Sequence, residues 1–506
     1  MNCSVIRYLG HAGFAVEHAG LRVLIDPWFH SAFLQSWFPW PDNSSARKIA
    51  ETKFDYLYVS HAHEDHFDRR FLETLDKTTT ILAPNYRSRG MLRRFNELGF
   101  ANVVPLDHRQ SFELADNFTA TMFLDTSHKE DSGLMLEMDG FRFLDLNDCN
   151  TPMSELPDRV DLLAAQYSGA MWYPNCYDYP PEQMQQKVNA VREGLLDTLY
   201  RKVHLTHARA YLPSAGPACF LDPVLEKYND PVKTIFPQWE DIAADFARAC
   251  PSTDVLRLYP ADGVEIAAGE LRVSHSPDAL REDDLASYRE RRKDDWGSFY
   301  EGPETPIEAS EVEDYFASLQ RRNKPLLREF HKHIGISSGG RTWGVQLGKL
   351  AEDFVIEGEE PYDPEYVLIM SPRILRAILA GETGWEEALL SMRIDLHREP
   401  DVFDLTFMSL LRYGNEPAQT QQIMRERRNT ETIERDGFRI QRFCPHAGEE
   451  LAHATIADGI LECPRHHWKW DVNTGRCIEG GTLPLKIEHI EKCGKASDPA
   501  MDLPSA

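Results

Sequence analysis

Short apolar runs rich in β-branched and aromatic residues, separated by polar and glycine-rich turns, occupy the first half of the chain and are typical of β-strands. We predict strands at residues 5–9, 14–17, 22–25, 56–59, 80–82, 103–104, 120–124, 134–138 and 141–144. Helical segments alternate with these strands up to about residue 220. The alternation predicts a sheet-rich α/β domain over residues 1–270.

The pattern changes near residue 275, where polar residues become dense. Residues 287–296 (SYRERRKDDW) form a polar, charge-dense segment and predict a solvated helix or linker. We therefore expect residues 271–340 to form a helical, charged connector between two folded parts.

A compact α+β module is predicted over residues 341–430, which include a polar linker from residue 415 onward. Its predicted strands are residues 342–347, 354–357 and 366–370. Ser371 and Pro372 fit the N-cap and first turn of a helix that Gly381 would end. The phrase SPRILRAILAGETGWEEALL resembles a sterol-carrier-type domain.

Composition limits the class of protein. At 506 residues the chain is too long for a single core, and its formal net charge of -26 disfavours binding to nucleic acid or an anionic membrane. The nine cysteines show no paired framework, which fits a reducing compartment. No secretion signal or membrane-spanning run is seen. We expect a cytoplasmic protein that acts on a small molecule.

A pair of cysteine–histidine loops lies near the C-terminus. Cys444 and His446 form a C-x-H loop, and Cys463 and His466 form a C-x-x-H loop sixteen residues later. With the flanking phrases CPHAG and CPRHHWKWDVNTG, this pattern resembles the Rieske ferredoxins and the Rieske domains of oxygenases. The resemblance implies an all-β domain over residues 431–492 that holds a [2Fe-2S] cluster, followed by a tail at residues 493–506. A zinc site is the alternative.

A second metal-binding pattern follows the strand predicted at residues 56–59. His61, His63, Asp65 and His66 in the phrase HAHEDH place four ligand side chains on one loop, which is enough to hold two ions close together. The phrase resembles the metallo-β-lactamase fold and implies an αββα sandwich with a dinuclear metal site.

The lactamase resemblance also implies the remaining ligands. The complete set would be His61, His63 and His128 for one ion, Asp65, His66 and His207 for the other, and Asp148 as the bridge between them. Asp65, Asp148 and His128 are the members expected to take part in catalysis. His204 is the alternative to His207. His11, in the phrase LGHAGF, is left open between a position near the metals and a structural role.

Two metal sites in one chain point to redox chemistry. Zinc has no redox chemistry, whereas two iron ions with histidine and carboxylate ligands can activate dioxygen when electrons are supplied one at a time. The phrases SHAHEDHF, LNDCNTP, YLPSAGPACF and CPRHHWKWDV resemble the CMP-N-acetylneuraminate hydroxylase family. In that family the Rieske domain is N-terminal, whereas here it is C-terminal.

The resemblance implies a Rieske-coupled non-heme diiron monooxygenase that hydroxylates or N-oxygenates a small molecule, such as a sugar nucleotide or an amine. Dioxygen would be the co-substrate, and a separate ferredoxin or flavin reductase would donate electrons. The oligomeric state stays open, with a homo-oligomer as one case.

Other functions remain open. One is a dizinc hydrolase of the lactonase or phosphodiesterase type whose Rieske domain senses redox state. Another is an electron carrier without catalysis, and a third is a reductase of dioxygen or nitric oxide. The aromatic segment at residues 28–40 could cap a substrate pocket, form an interface or pack in the core. The aromatic segment at residues 167–179 could line the substrate site or pack in the core.

Overall fold

The structure is a computed structural model that describes residues 4–125, 130–281, 284–328, 330–348, 355–357, 364–415, 431–446 and 448–490. His128, the tail and most of the linker before the C-terminal domain lie outside the described residues. Within the described ranges, no helix has the length and apolar character needed to cross a bilayer.

The N-terminal part alternates strands with a few helices. Its strands are β1 (Ser4–Gly10), β2 (Gly13–His18), β3 (Leu21–Ile25), β4 (Trp37–Phe38), β5 (Tyr56–Tyr58), β6 (Thr80–Pro84), β7 (Val103–Leu106), β8 (Ser111–Ala115), β9 (Phe118–Leu124), β10 (Ser132–Met138), β11 (Phe141–Asn147), β12 (Leu162–Gln166), β13 (Ala210–Ser214), β14 (Cys219–Phe220), β15 (Asp254–Val255), β16 (Gly263–Ala267) and β17 (Glu270–Ser274). Its helices are α1 (Arg47–Ala50), α2 (Arg69–Leu72), α3 (Gly90–Glu97), α4 (Pro181–Leu205) and α5 (Trp239–Ala249).

These strands form two large sheets. The first has the order β17-β16-β1-β2-β3-β5-β6-β7, and the second has the order β15-β13-β12-β11-β10-β9-β8. In the first sheet β3, β5, β6 and β7 are parallel. In the second, β11, β12, β13 and β15 are parallel. Loops that follow parallel strands emerge at one edge of each sheet, where they can meet.

Alternation of side chains along each strand builds the layers. On β11, Phe143 packs between the two sheets, whereas Leu144 and Leu146 face the outer helices α4 and α5. On the first sheet, Leu24 and Leu57 pack against α1 to α3. The result is an αββα sandwich, as the sequence predicted.

A helical connector and a second α+β unit follow. The helices are α6 (Leu285–Arg291), α7 (Lys293–Gly297), α8 (Ala309–Arg322), α9 (Pro372–Ala380), α10 (Trp385–Leu390) and α11 (Leu405–Tyr413). The strands are β18 (Lys332–Ser338), β19 (Arg341–Leu347), β20 (Val355–Glu357), β21 (Tyr366–Met370) and β22 (Asp395–Arg398), in the sheet order β20-β19-β18-β21-β22. We call α8 to α11 with this sheet the central module.

The local signals predicted for the central module are present. The Ser371 side chain accepts a hydrogen bond from the backbone N–H of Ile374, and Gly381 ends α9 with a φ of 74°. In the connector, α6 and α7 form as expected for residues 287–296. However, Tyr288 is fully buried and its ring packs against Trp40, so this segment is anchored to the domain rather than fully solvated.

The central module shares one hydrophobic core with the N-terminal sandwich. Trp28, Phe33 and Trp37 from the aromatic segment at residues 28–40 pack in the same buried cluster as Trp343 and Trp385 of the module. The aromatic segment at residues 167–179 joins this cluster too, and Tyr177 pairs with Leu396 in a parallel bridge. Both aromatic segments therefore serve the interface between these two parts.

The C-terminal part is all β. Its strands are β23 (Thr432–Arg435), β24 (Phe438–Gln441), β25 (Thr455–Ala457), β26 (Ile460–Glu462), β27 (Lys469–Asp471), β28 (Cys477–Glu479) and β29 (Ile487–His489). They form a three-stranded sheet, β23-β24-β29, and a four-stranded sheet, β25-β26-β27-β28. The predicted hairpin turn between β27 and β28 is present, with Asp471 accepting hydrogen bonds from the backbone N–H groups of Asn473 and Thr474.

Candidate metal centres

The HAHEDH phrase forms a tight loop directly after β5. The backbone N–H groups of His66 and Phe67 both donate to the carbonyl of His63, which folds the loop back on itself. His61 Nε2 and His63 Nδ1 are 2.9 Å apart. Two ring nitrogens at that separation face a common point, as two ligands of one ion do.

A second group of ligand atoms gathers around His66. Its Nε2 lies 3.8 Å from Oδ1 of Asp148 and 3.9 Å from Oδ2 of Asp65. Asp148 follows the end of β11, so it reaches the same edge of the sandwich as the loop after β5. The Nε2 of His11 lies 3.4 Å from the same Asp65 oxygen. The structure therefore brings together three separate stretches of sequence, with His11, Asp65 and His66 in one ligand group and His61, His66 and Asp148 in another.

These groups have the chemistry that metal ions require. Four buried ligand atoms find no hydrogen-bond partner among the described residues: His11 Nε2, Asp65 Oδ1, His66 Nε2 and Asp148 Oδ1. Buried polar atoms are otherwise almost always paired. Two ions at this edge would satisfy all four atoms, with the Nε2 atom of His66 bound to one of them.

The closely packed carboxylates of this pocket also favour bound cations. Burial, together with the neighbouring carboxylates of Asp148 and Asp125, raises the pKa of Asp131 to about 8. Carboxylates packed this closely repel one another when they are ionised. Divalent or trivalent ions between them would remove that repulsion, so the residues present fit a dinuclear metal site.

A second set of side chains orients the ligands. His66 Nδ1 is 2.7 Å from Asp26, whose two oxygens also accept hydrogen bonds from the N–H and hydroxyl of Ser60. His61 Nδ1 lies 3.4 Å from Asp131. Carboxylates placed in this way fix the ring orientation of a metal-ligating histidine and increase its basicity.

The central module contributes to the same site. His63 Nε2 lies 3.3 Å from Oε1 of Glu386, which lies in the first turn of helix α10 and forms a largely buried ion pair with Arg412 on α11. Burial alone would raise the pKa of Glu386, but Arg412 and His63 hold it well below its usual range. No motif in the sequence marks Glu386, because it reaches the site only through the packing of the module.

His207 does not join the other predicted ligands. It is exposed, its Nδ1 lies 2.9 Å from the backbone oxygen of Asp158, and it precedes β13. Since β13 runs parallel to β11, the start of β13 is at the opposite edge of the sheet from Asp148. His204, the alternative, is exposed as well. The structure therefore does not bring His207 to the other predicted ligands, whereas it places His11 among them.

His11 could have been found from its surroundings in the sequence. It lies in the turn between β1 and β2, at a positive φ of 51°, with glycine on both sides in LGHAGF. A non-glycine residue held in that conformation is uncommon and worth attention. His128, the other predicted ligand, lies outside the described residues and stays a prediction.

The four cysteine and histidine residues of the C-terminal domain converge. Ligand atoms of Cys444, Cys463 and His466 lie within 4.8 Å of one another, and the rings of His446 and His466 are 4.5 Å apart. Both cysteines are buried. Two thiolates and two imidazoles are the ligands of a Rieske cluster, so the residues present fit that group.

Aromatic rings enclose the histidine side of this site. His446 stacks on Trp468 with a ring separation of 4.5 Å and an angle of 5°. Phe403 of the central module packs edge-on against His446 at 4.7 Å. His467 is not needed as a ligand, because its Nδ1 lies 2.7 Å from Glu462. These ring contacts fix the orientation of the His446 imidazole.

Comparison with known families identifies the domains that carry the two candidate sites. The model of the "Beta-lactamase superfamily domain" matches residues 5–176, and the model of the "Rieske [2Fe-2S] domain" matches residues 423–486. The chain joins a β-lactamase superfamily domain to a C-terminal Rieske domain. The domain types and their order are thus confirmed, while the resemblance of the central module to sterol carriers stays a prediction.

Several relatives share this combination or part of it. A protein of Mycolicibacterium smegmatis named as a Rieske 2Fe-2S iron-sulfur protein is 29% identical over 95% of this chain and 99% of its own length. The cytidine monophosphate-N-acetylneuraminic acid hydroxylase of Cricetulus griseus is 23% identical over 79% of this chain and 74% of its own.

Among solved structures, CmlA, a diiron β-hydroxylase from Streptomyces venezuelae, aligns with 52% of this chain and 54% of its own at 18% identity. Its TM-score is 0.34. An overlap this low carries no functional conclusion, so the lactamase domain and the Rieske domain are assigned from the family models and the site geometry alone.

Proposed function

We propose that this protein is an oxidoreductase in which the Rieske domain supplies electrons to a non-heme diiron site in the lactamase domain, and that it is a monooxygenase. The observation that carries the proposal is the presence of both ligand sets in one chain, each with its ligand atoms already converged. A zinc hydrolase would have no catalytic use for an attached electron donor. The names of the hydroxylase relatives support the same class.

Each ligand set has an assigned role. His61, His63, Asp65, His66, Asp148 and His11 would hold two iron ions, together with the predicted ligand His128. When bound, and when reduced by an external ferredoxin or flavin reductase through the cluster, such ions supply the capacity to activate dioxygen. Cys444, His446, Cys463 and His466 would hold the [2Fe-2S] cluster.

Residues around the ligands prepare the site for this chemistry. Asp26 holds His66 with its Nε2 directed at the ion positions, and Glu386 does the same for His63 from the central module. Arg412 neutralises Glu386 in a buried environment, so the carboxylate stays fixed. The central module covers this side of the site and limits its exposure to water.

The substrate is proposed as a small molecule that is hydroxylated on carbon or oxygenated on nitrogen. A sugar nucleotide, which the hydroxylase relatives name, and an amine are the two classes to assay first. A turnover that consumes dioxygen and reductant with no organic substrate would instead identify an oxygen reductase.

Metal analysis tests the proposal directly. Iron, zinc and acid-labile sulfide are measured per chain in the wild type and in Cys444→Ala, after anaerobic purification. We expect about four irons in the wild type and about two in the variant, from one two-iron cluster and one dinuclear site. About two irons and two zincs in the wild type, with hydrolysis in the absence of reductant, would overturn the oxygenase in favour of a dizinc hydrolase.

A further inference from the structure

We propose that the Rieske cluster serves the dinuclear site of its own chain across helix α4, with Gly194 as the residue that permits the contact and Lys202 as a positioning residue. This proposal rests on the proposed function, in which electrons pass from the Rieske cluster to the dinuclear site, and adds the part of the protein through which they pass. The sequence alone left open whether electrons pass within one chain or between subunits.

Helix α4 lies between the lactamase sheet and the Rieske domain. Leu199 and Val203 on one side of the helix pack against the second sheet. Gly194, Thr198 and Lys202 are spaced by four residues, so they lie along another face, and all three are buried. The Rieske domain reaches this second face at Gly194, whereas Lys202 at its other end contacts the lactamase domain.

Gly194 allows the Rieske loop to touch the helix backbone. A Cβ atom added at this position would overlap the carbonyl oxygen of Arg465 and lie 3.5 Å from Nε2 of His467. Arg465 immediately precedes the cluster ligand His466. The ligand loop is therefore seated directly on α4, at a point where any side chain would displace it.

Ion pairs also link helix α4 to the two ligand loops of the Rieske domain. Glu449, in the first ligand loop, lies 3.8 Å from Arg201 on α4 and 3.9 Å from Arg465 in the second ligand loop. Nearby, Glu450 accepts hydrogen bonds from the hydroxyl and N–H of Ser154 in the lactamase domain. Several independent contacts thus fix the same docking geometry.

Lys202 connects the docked face to the dinuclear site. Its ammonium group is buried and donates hydrogen bonds to the carbonyl of Cys149 at 2.8 Å and to Oδ1 of Asn150 at 3.4 Å. Burial lowers the pKa of Lys202, and the positive charge of Arg465 in the second Rieske ligand loop lowers it further. Cys149 directly follows the ligand Asp148, so Lys202 holds the loop that presents this carboxylate.

The proposed route follows helix α4 within one chain. Gly194 and Lys202 are eight residues apart, about 12 Å along the helix axis. A cluster held by Cys444, His446, Cys463 and His466 would supply one electron per transfer, its ferrous ion becoming ferric as one ferric ion of the dinuclear site is reduced. Two electrons from the external reductase, two protons from solvent and one dioxygen would together yield one hydroxylated product and one water.

Substitution of Gly194 tests the contact. Gly194→Ala and Gly194→Leu both place side-chain atoms against Arg465 while improving the intrinsic helix propensity, so the helix itself is not weakened. Glu193→Ala, at an exposed position on the same helix, is the matched control. Metal and sulfide content and the spectrum of the cluster are expected to be unchanged in all three.

The decisive measurement is the rate at which the prereduced cluster is reoxidised after rapid mixing with dioxygen and substrate, followed by its visible absorption. A displacement of about 1 Å at a reacting centre can cost on the order of a hundredfold in rate, so we expect slower reoxidation in the order control, Ala, Leu. Equal rates in the control and both Gly194 variants would overturn the route.

Lys202→Met and Lys202→Arg test the positioning role with the same measurement. Methionine keeps the length of the side chain but loses the donors, whereas arginine restores a cation and hydrogen bonds. Slower reoxidation in Lys202→Met with partial recovery in Lys202→Arg, at unchanged iron content, supports positioning. Equal slowing in both variants, or none in either, would contradict it.

Mixed assemblies decide between one chain and two. Cys444→Ala, which lacks the cluster, is co-expressed with His63→Ala, which lacks a competent dinuclear site, each with its own tag. We expect no reductant-dependent reoxidation or turnover from the co-purified mixture. Recovery of a large fraction of the wild-type rate would show transfer between subunits and overturn the inference.

Failure of the proposed function is distinguishable from failure of the route. If the wild type contains zinc in place of the dinuclear iron, or if its reduced cluster is not reoxidised through the dinuclear site, the proposed function fails. If the wild type reacts as expected but the mixture recovers the rate, only the route within one chain fails.

Discussion

The Nε2 atom of His63 lies 3.3 Å from a carboxylate oxygen of Glu386, and the latter belongs to a different folded part of the chain. The contact makes the central module part of the metal site. The module also shares a hydrophobic core with the lactamase domain.

Replacing Glu386 with glutamine is expected to weaken the dinuclear site without unfolding the protein. The change keeps the size of the side chain but removes the charge that orients His63 and pairs with Arg412. Loss of such a partner commonly costs about tenfold to a hundredfold in metal affinity or activity. Glu387→Gln, one position along the same helix, is the control. Iron content and cluster spectra, measured for both, should differ from the wild type only for Glu386→Gln and only at the dinuclear site.

His11 lies among the candidate ligands and His207 does not, so substitutions of the two histidines are expected to have different effects. His11→Ala is expected to lower the content of the dinuclear metal, because His11 shares a ligand group with Asp65 and His66. His207→Ala is expected to leave metal content unchanged, because His207 is exposed at the other edge of the sheet. Metal analysis of both purified variants checks the assignment. The reverse result would restore the original prediction.

The interface around Asp401 is expected to weaken in acid. Burial would raise the pKa of Asp401, but bonds from Lys187 at 2.5 Å, Tyr179 at 2.7 Å and Arg398 hold it below its usual value of 3.8. A group whose pKa is depressed on folding stabilises the protein above the unfolded pKa, and this contribution is lost as the pH falls through the folded pKa.

Asp401→Asn should therefore lower the melting temperature at neutral pH and reduce the loss of stability between about pH 5 and about pH 3. Glu399→Gln, at an exposed position nearby, is the control and should follow the wild type. Thermal unfolding at several pH values measures both. An acid-induced loss of stability that is as large in Asp401→Asn as in the wild type would contradict this account.

Removing the Trp37 side chain tests the shared core. Trp37 is 1% exposed and its ring meets those of Phe33, Phe220 and Phe236. Truncation of a buried tryptophan to alanine typically costs about 3–5 kcal/mol. We expect Trp37→Ala to lower the unfolding midpoint of both the lactamase domain and the central module, while the cluster spectrum persists. In denaturant, near-UV circular dichroism follows unfolding of the lactamase domain and the central module, and the cluster absorption follows the Rieske domain.

The sequence by itself determined the elements and the two local ligand motifs. The strand of the HAHEDH motif, the α9 helix with its Ser371 cap and Gly381 end, and the hairpin at Asp471 all follow from short-range spacing and turn chemistry. Cys444 and His446, or His61 and His63, are close in space because they are close in sequence. Such relationships need no knowledge of how distant segments pack.

Only the tertiary structure decided the rest of the sites. Glu386 lies more than three hundred residues after His63, His11 reaches Asp65 across the sheet edge, and Gly194 meets Arg465 through domain docking. His207 resembled a ligand in its local sequence, yet it precedes β13 rather than following it. The physical reason is that a position in sequence fixes which residues can form a strand or helix, whereas the edge and the neighbour that a side chain meets depend on strand order, strand direction and packing between domains.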